Sequence, residues 1–186
     1  MILLSLDPGS HVAGVALWQD GQLFSAAALK NTVEGAGPYE CGAMGRLIQS
    51  WVEDKVFEFW GTSRVVQIAA EWPRVYSRGS GKSKADPNVN LPLAAVCGAV
   101  AALFPSAKMT HYNPSDWKGQ VGKPDTVKEP YAIEAKVRAR LSPDEIKVLE
   151  ENWPSSVKQT YDLIDSVGVG LHRLGRFERR RVFARE

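Results

Sequence analysis

Four carboxylates in this 186-residue chain are placed where chemistry is done. Asp7 closes the apolar run from Met1 to Leu6 and is followed at once by the turn formers Pro8, Gly9 and Ser10. Glu71 closes a second apolar run, Val65-Val66-Gln67-Ile68-Ala69-Ala70, while Asp162 and Asp165 lie three residues apart among Leu163, Ile164, Val167 and Val169. A carboxylate near a core is expensive unless it is paired or binds a cation, so each of these acids asks for a counter-charge. Taken singly they have plainer readings: Asp7 before Pro8-Gly9 is what an ordinary loop cap looks like, and paired acids decorate many solvent-facing helices. As a set they are hard oxygen donors with no His or Cys ligand set beside them, which suits Mg2+ or Mn2+ rather than zinc.

The elements that must position them follow from patterning. Met1 to Leu6 reads as a central strand ending at Asp7, Val12 to Leu17 as a second strand paired to it, and Asp20-Gly21 as the hairpin turn into an antiparallel third strand over Gln22 to Leu29. Apolar residues recur at helical spacing from Tyr39 to Trp60, where Gly61-Thr62-Ser63 ends the helix. The strand over Arg64 to Ala70 is then reached by a crossover and runs parallel to the first, which puts Glu71 at the same sheet edge as Asp7. Asn90-Leu91-Pro92 opens a small-residue helix through Leu103, and Lys108 to Tyr112 is a last strand. Asn113 to Asp116 caps a turn carrying Trp117 and Lys118. Further helices are expected over Lys128 to Leu141, from the capping box Ser142-Pro143-Asp144-Glu145, and from Ser156, capped with Gln159, to beyond Leu174. In the last of these Asp162 and Asp165 share a face one turn apart. Gly168 and Gly170 cost that helix ~1 kcal/mol each, so a close packing contact is expected to require them.

Composition sets the outer bounds. With 44% hydrophobic and 24% charged residues the chain is expected to be one domain, 1–186, with a full core, which excludes a disordered chain. No stretch approaches the ~20 apolar residues of a membrane helix, and the expectation is a soluble, cytoplasmic protein. Cys41 and Cys97 sit among apolar neighbours without partners at metal spacing and read as buried free thiols. The net charge is only +2, but it is unevenly spread. The segment after Glu71 holds Arg74, Arg78, Lys82 and Lys84 without an acid, and the tail 173–186 holds six arginines against Glu178 and Glu186. Basic patches around an acidic centre are the field expected of an enzyme that grips phosphates. Solvated surface charge is the competing reading of the tail.

In order along the chain, Asp7-Pro8-Gly9-Ser10 with Gly14-Val15, Glu71 closing a hydrophobic strand, and a last helix with two acids three apart resemble the RuvC-type Holliday junction resolvases of the RNase H-like superfamily. The resemblance implies an α/β, RNase H-like fold with a central mixed five-stranded sheet flanked by helices. It implies a homodimeric, metal-dependent endonuclease that nicks opposing strands of four-way DNA junctions in recombination and repair. Two ions about 3.5–4 Å apart would promote an in-line attack on a phosphodiester. By the same resemblance Asp7 bridges both ions, Asp165 holds the ion that carries the attacking water, Glu71 holds the leaving-group ion and Asp162 completes the set. Lys118 and Lys128 resemble the two lysines that the family sets against the scissile backbone. The family's aromatic wedge after the Glu is replaced here by Arg74, with Tyr76 two residues on and Trp72 before it. Three rivals remain: an RNase H-like nuclease acting on flaps or RNA–DNA hybrids, a nucleotide-binding actin-like or sugar-kinase-like fold, and a non-catalytic DNA-binding module. The second needs two such domains and far more residues, and the third has no use for four clustered acids.

Overall fold

The computed structural model describes residues 1–33, 37–60, 65–72, 87–119 and 131–177. The three N-terminal runs form the meander β1 (Ile2–Asp7), β2 (Val12–Gln19) and β3 (Gln22–Lys30). Asp20 and Gly21 turn β2 into β3 with φ of 49° and 87°, the left-handed pair that a two-residue hairpin needs. The helix α1 (Pro38–Trp60) crosses over to β4 (Val65–Glu71), which pairs with β1 in parallel. α2 (Pro87–Leu103) crosses again to β5 (Lys108–Tyr112), parallel to β4. The result is a mixed five-stranded sheet of order β3-β2-β1-β4-β5, flanked by helices as the sequence predicts.

Alternation along the strands divides the core into two layers. Ile2, Leu4 and Leu6 join Met44 and Ile48 of α1 and Val96 and Val100 of α2 on one face. Leu3, Ala16, Trp18 and Ala69 face the other layer, built from α4 (Ala132–Arg138), α5 (Pro143–Glu151) and α6 (Val157–Arg173). Between β5 and α4 lies the single-turn α3 (Pro114–Trp117), with the Asn113–Asp116 capping box in place. Cys41 and Cys97 are both buried and neither forms a disulfide. Among the described residues, no helix is long and apolar enough to cross a membrane.

Three helix boundaries and one capping bond differ from the sequence expectation. α2 starts at Pro87, a turn before Asn90, and carries Pro92 in its interior; burial of Val96, Cys97 and Val100 against the sheet offsets the hydrogen bond a proline removes. α4 begins at Ala132, because Tyr131 is extended (φ −70°, ψ 106°); Lys128, where the helix is expected to start, lies outside the described residues. The Ser156 side chain makes no capping bond, although the residue does occupy the N-cap of α6. α6 ends at Arg173 rather than past Leu174. Gly175 turns left-handed (φ 70°) and donates to His172 O (2.9 Å), while Arg176 N–H donates to Leu171 O (2.8 Å), a Schellman stop. Arg64 and the segment 61–63, expected to begin β4 and end α1, lie outside the described residues.

Candidate active site

The site is built by the ends of two parallel strands and one turn of a helix. Leu6 of β1 stands opposite Ala70 of β4, so the strands run out together into Asp7 and Glu71. By alternation Asp7 shares a face with Leu3 and Ser5, and Glu71 with Ala69, which is the face that α6 covers. α6 lies along β2, and Gly14, the cross-strand partner of Asp7, makes its close approach possible. A Cβ at Gly14 would fall 1.8 Å from the Asp162 carbonyl oxygen. At the far end a Cβ at Gly170 would meet Trp18 Nε1 at 2.2 Å, which accounts for the glycine expected to sit in a tight contact. The acid-bearing turn of α6 is thereby held at the Asp7 edge of the sheet, with Asp162 and Asp165 both buried.

Lys118, on the turn after α3, enters this acidic edge from the side. Its ammonium lies 2.8 Å from Asp165 Oδ2 and 3.0 Å from Glu71 Oε2, and only 9% of its side chain is exposed. Burial disfavours that ammonium, but the charges of Asp165, Glu71 and Asp7 outweigh the penalty and its pKa is raised. Glu71 moves upward chiefly because it is buried; the Asp165 charge adds to this, and Lys118 with the Trp117 indole offsets part of it. The Asp7 charge is felt by Lys118 and also by Cys97 of α2, whose thiol is pushed up to about 12, mainly by burial.

Two aromatic donors complete the surroundings. The Trp117 indole N–H donates to Glu71 Oε2 at 3.0 Å, and the Tyr131 hydroxyl donates to Asp165 Oδ1. The Trp117 ring sits on α6 at Gly168, where a Cβ would fall 2.1 Å from Cζ3, so this glycine is the other one that packing requires. Neither donor follows from the sequence pattern: Tyr131 falls within the helix expected over Lys128 to Leu141, and Trp117 on a turn. The signal that could have found Trp117 is the run Trp117-Lys118 immediately after a capped turn at the same sheet edge as Glu71; nothing comparable in the sequence marks Tyr131.

The five predicted site residues Asp7, Glu71, Lys118, Asp162 and Asp165 are therefore brought to one edge. They are not gathered as a finished ligand shell. Among the described residues, no group of three acidic, imidazole or thiol side chains is arranged to hold one metal ion in common. The donor set nonetheless fits a hard divalent cation, since it consists of carboxylate oxygens and a cationic group is already accommodated between two of them. The other predicted contact residues, Arg74, Tyr76, Arg78, Lys82, Lys84 and Lys128, lie outside the described residues. Arg173 and Arg176, at the start of the basic tail, are committed internally: Arg173 donates to Gln67 Oε1 at 2.9 Å, and Arg176 grips Glu145.

Sheet order, crossovers and the position of the acidic edge define an RNase H-like fold. Among its structural neighbours are RuvC and other Holliday junction resolvases. RuvC of Thermus thermophilus in complex with a Holliday junction substrate superposes with a TM-score of 0.56 at 17% identity, covering 95% of this chain and 97% of that one. The fowlpox virus Holliday junction resolvase gives 0.52 at 13% identity over 94% and 98% of the two chains. The yeast mitochondrial resolvase Ydc2 gives 0.51 at 13% over 94% and 81%. At these identities the likeness establishes the fold. No family model and no curated protein matches the sequence.

Proposed function

We propose that this chain is a structure-selective endodeoxyribonuclease that resolves four-way DNA junctions by paired nicks, as a metal-dependent homodimer acting in recombination and repair. The observation that carries the reading is the Lys118 ammonium between Glu71 and Asp165, at the edge where β1 and β4 both end in acids. An acidic centre that needs a cation, on a fold shared with junction resolvases along nearly the whole chain, is what such chemistry requires.

Asp7, Glu71, Asp162 and Asp165 would hold Mg2+, with Mn2+ able to substitute, as two ions per site. Bound there, the ions supply Lewis-acid stabilisation of charge at a phosphodiester and lower the pKa of water. Lys118 keeps Glu71 and Asp165 neutralised between turnovers, and its flexible stem allows the same charge to be offered to a phosphate oxygen of the scissile strand. Arg74, Arg78, Lys82, Lys84 and Lys128 would grip phosphates without reading sequence, and Tyr76 would stack on an unpaired base for ~1–3 kcal/mol. Neutralising Arg78, Lys82 and Lys84 together should flatten log affinity against log salt by roughly 0.9 per lost phosphate contact.

The test is cleavage of a synthetic four-way junction beside linear duplex, flap and RNA–DNA hybrid, with and without Mg2+. Symmetric nicks in the junction alone, abolished by EDTA, are expected. A preference for flaps or hybrids moves the assignment to another RNase H-like nuclease, and inactivity on every substrate removes the nuclease reading.

A further inference from the structure

Tyr131 breaks a local rule. It occupies the N-cap of α4, a position that favours Ser, Thr, Asp or Asn, and it makes no capping hydrogen bond. The helix therefore starts without the side-chain bond that the position ordinarily supplies. Instead the Tyr131 side chain turns into the core, 3% exposed, where its ring packs on Tyr161 (centroids 4.7 Å apart) and its hydroxyl reaches an acid 34 residues further along the chain.

What it reaches is specific. The two oxygens of Asp165 meet different donors: Oδ1 accepts from the Tyr131 hydroxyl and Oδ2 from Lys118. The two donors differ in kind. Lys118 is a cation on a long, flexible stem and is shared with Glu71, so an incoming cation would compete with it directly. The phenol is neutral, short and clamped by packing, so it has no reason to leave when charge arrives. A fixed hydrogen bond to one oxygen sets the orientation of a carboxylate and aims the other, which is how outer partners tune ligating acids.

We propose that Tyr131 is a positioning residue of the acidic centre, holding Asp165 Oδ1 so that Oδ2 remains the oxygen available to a divalent ion. The inference rests on the reading of this centre as a divalent-metal site. Trp117 on Glu71 is the matching arrangement at the sheet side, seated at Gly168.

The experiment compares wild type, Tyr131→Phe and Tyr161→Phe, the last removing a hydroxyl from the neighbouring ring as a packing control. Mn2+ binding is measured by calorimetry on the full chain, kcat and KM on the four-way junction at saturating Mn2+, and folding by thermal melting in EDTA. Tyr131→Phe should weaken Mn2+ binding about tenfold and lower kcat by about tenfold with KM unchanged, in the range typical of lost outer partners. Tyr161→Phe should match wild type in both. Overlapping Mn2+ isotherms for Tyr131→Phe and wild type overturn the inference, as does an equal loss in Tyr161→Phe. So does a wild type that takes up no Mn2+. Wild type that binds Mn2+ but leaves the junction intact removes the proposed substrate instead, and the isotherms still decide the role of Tyr131.

Discussion

The Lys118 ammonium and Asp165 Oδ2 lie 2.8 Å apart in a pocket that almost no solvent reaches, with Glu71 on the other side of the same nitrogen. A lysine so placed is an internal counter-ion. Removing one partner of a buried pair leaves an uncompensated charge and costs about 3–5 kcal/mol. Lys118→Met should therefore unfold markedly earlier than wild type in EDTA, by about 2–4 °C per kcal/mol for a chain of this size. Mg2+ should restore more stability to the variant than it adds to wild type, because the ion replaces the missing charge, while junction cleavage stays low. Equal Mg2+ stabilisation of both proteins would contradict the shared-site picture.

Glu71 and Asp165 are predicted to respond differently to neutralisation in metal-free protein. Burial holds the Glu71 pKa above its ordinary value, so the fold disfavours its charged form. That contribution is fully present at low pH and is lost as pH rises through the raised pKa. Glu71→Gln should accordingly be neutral or mildly stabilising at pH 7. Asp165→Asn instead removes the charge that anchors Lys118 and Tyr131, and should cost about 1–3 kcal/mol per weakened charged contact. Urea unfolding in EDTA separates the two; a destabilisation of Glu71→Gln as large as that of Asp165→Asn would refute the difference.

Which of these relationships was legible beforehand follows from what kind of signal each one leaves. Asp7 and Glu71 are visible because each ends a run of apolar residues at the point where turn or loop residues take over, and parallel pairing then fixes their common edge. The acids of α6 are visible because Leu163, Ile164, Val167 and Val169 crowd round them in the sequence, and the structure buries every residue from Asp162 to Leu171. Tyr131 was hidden for the opposite reason. An aromatic in an apolar pattern carries no mark of what its hydroxyl will meet 34 residues later. Lys118 shows its charge in the sequence but not its partners. The start of α2 was misplaced because Pro92 resembles a first-turn proline, and core packing outweighed that local preference. Gly175 follows a basic last turn, Arg173 included, which is a visible stop signal, and the Schellman bonds show that it governs the end of α6.

Gly14 is the smallest residue on which the site depends. Its missing Cβ leaves room for the Asp162 carbonyl, so Gly14→Ala must push the acid-bearing turn of α6 away from the Asp7 edge. Overpacking of this kind costs roughly 1–3 kcal/mol, and the geometric loss should exceed the thermodynamic one. The expected result is a folded protein with a lowered urea midpoint and junction cleavage reduced far more than junction binding. A variant with wild-type midpoint and rate would show that α6 does not need this approach.

The end of α6 is secured at some distance from the acids, and there the pH dependence has a definite sign. After the Schellman turn Arg176 forks onto Glu145, with Nη1 to Oε1 and Nη2 to Oε2 both at 2.7 Å, while Leu23 N–H and Ser142 N–H also donate to this carboxylate. Burial alone would raise the Glu145 pKa, but the Arg176 bonds and the two backbone donors prevail and hold it below the ordinary 4.5. A depressed acid stabilises the fold above its unfolded-state pKa and loses that contribution as pH falls through the lower folded value. Arg176→Met should therefore be less stable than wild type at pH 7, by about 1.5–3 kcal/mol for a charge-assisted bond. The gap should narrow once pH drops below about 4.5, leaving the part due to the Arg176 bonds to the Gly21 and Arg140 carbonyls. Urea unfolding of both proteins from pH 7 down to pH 3 measures it, and a gap that stays constant across that window would mean that Glu145 is not the partner through which Arg176 acts.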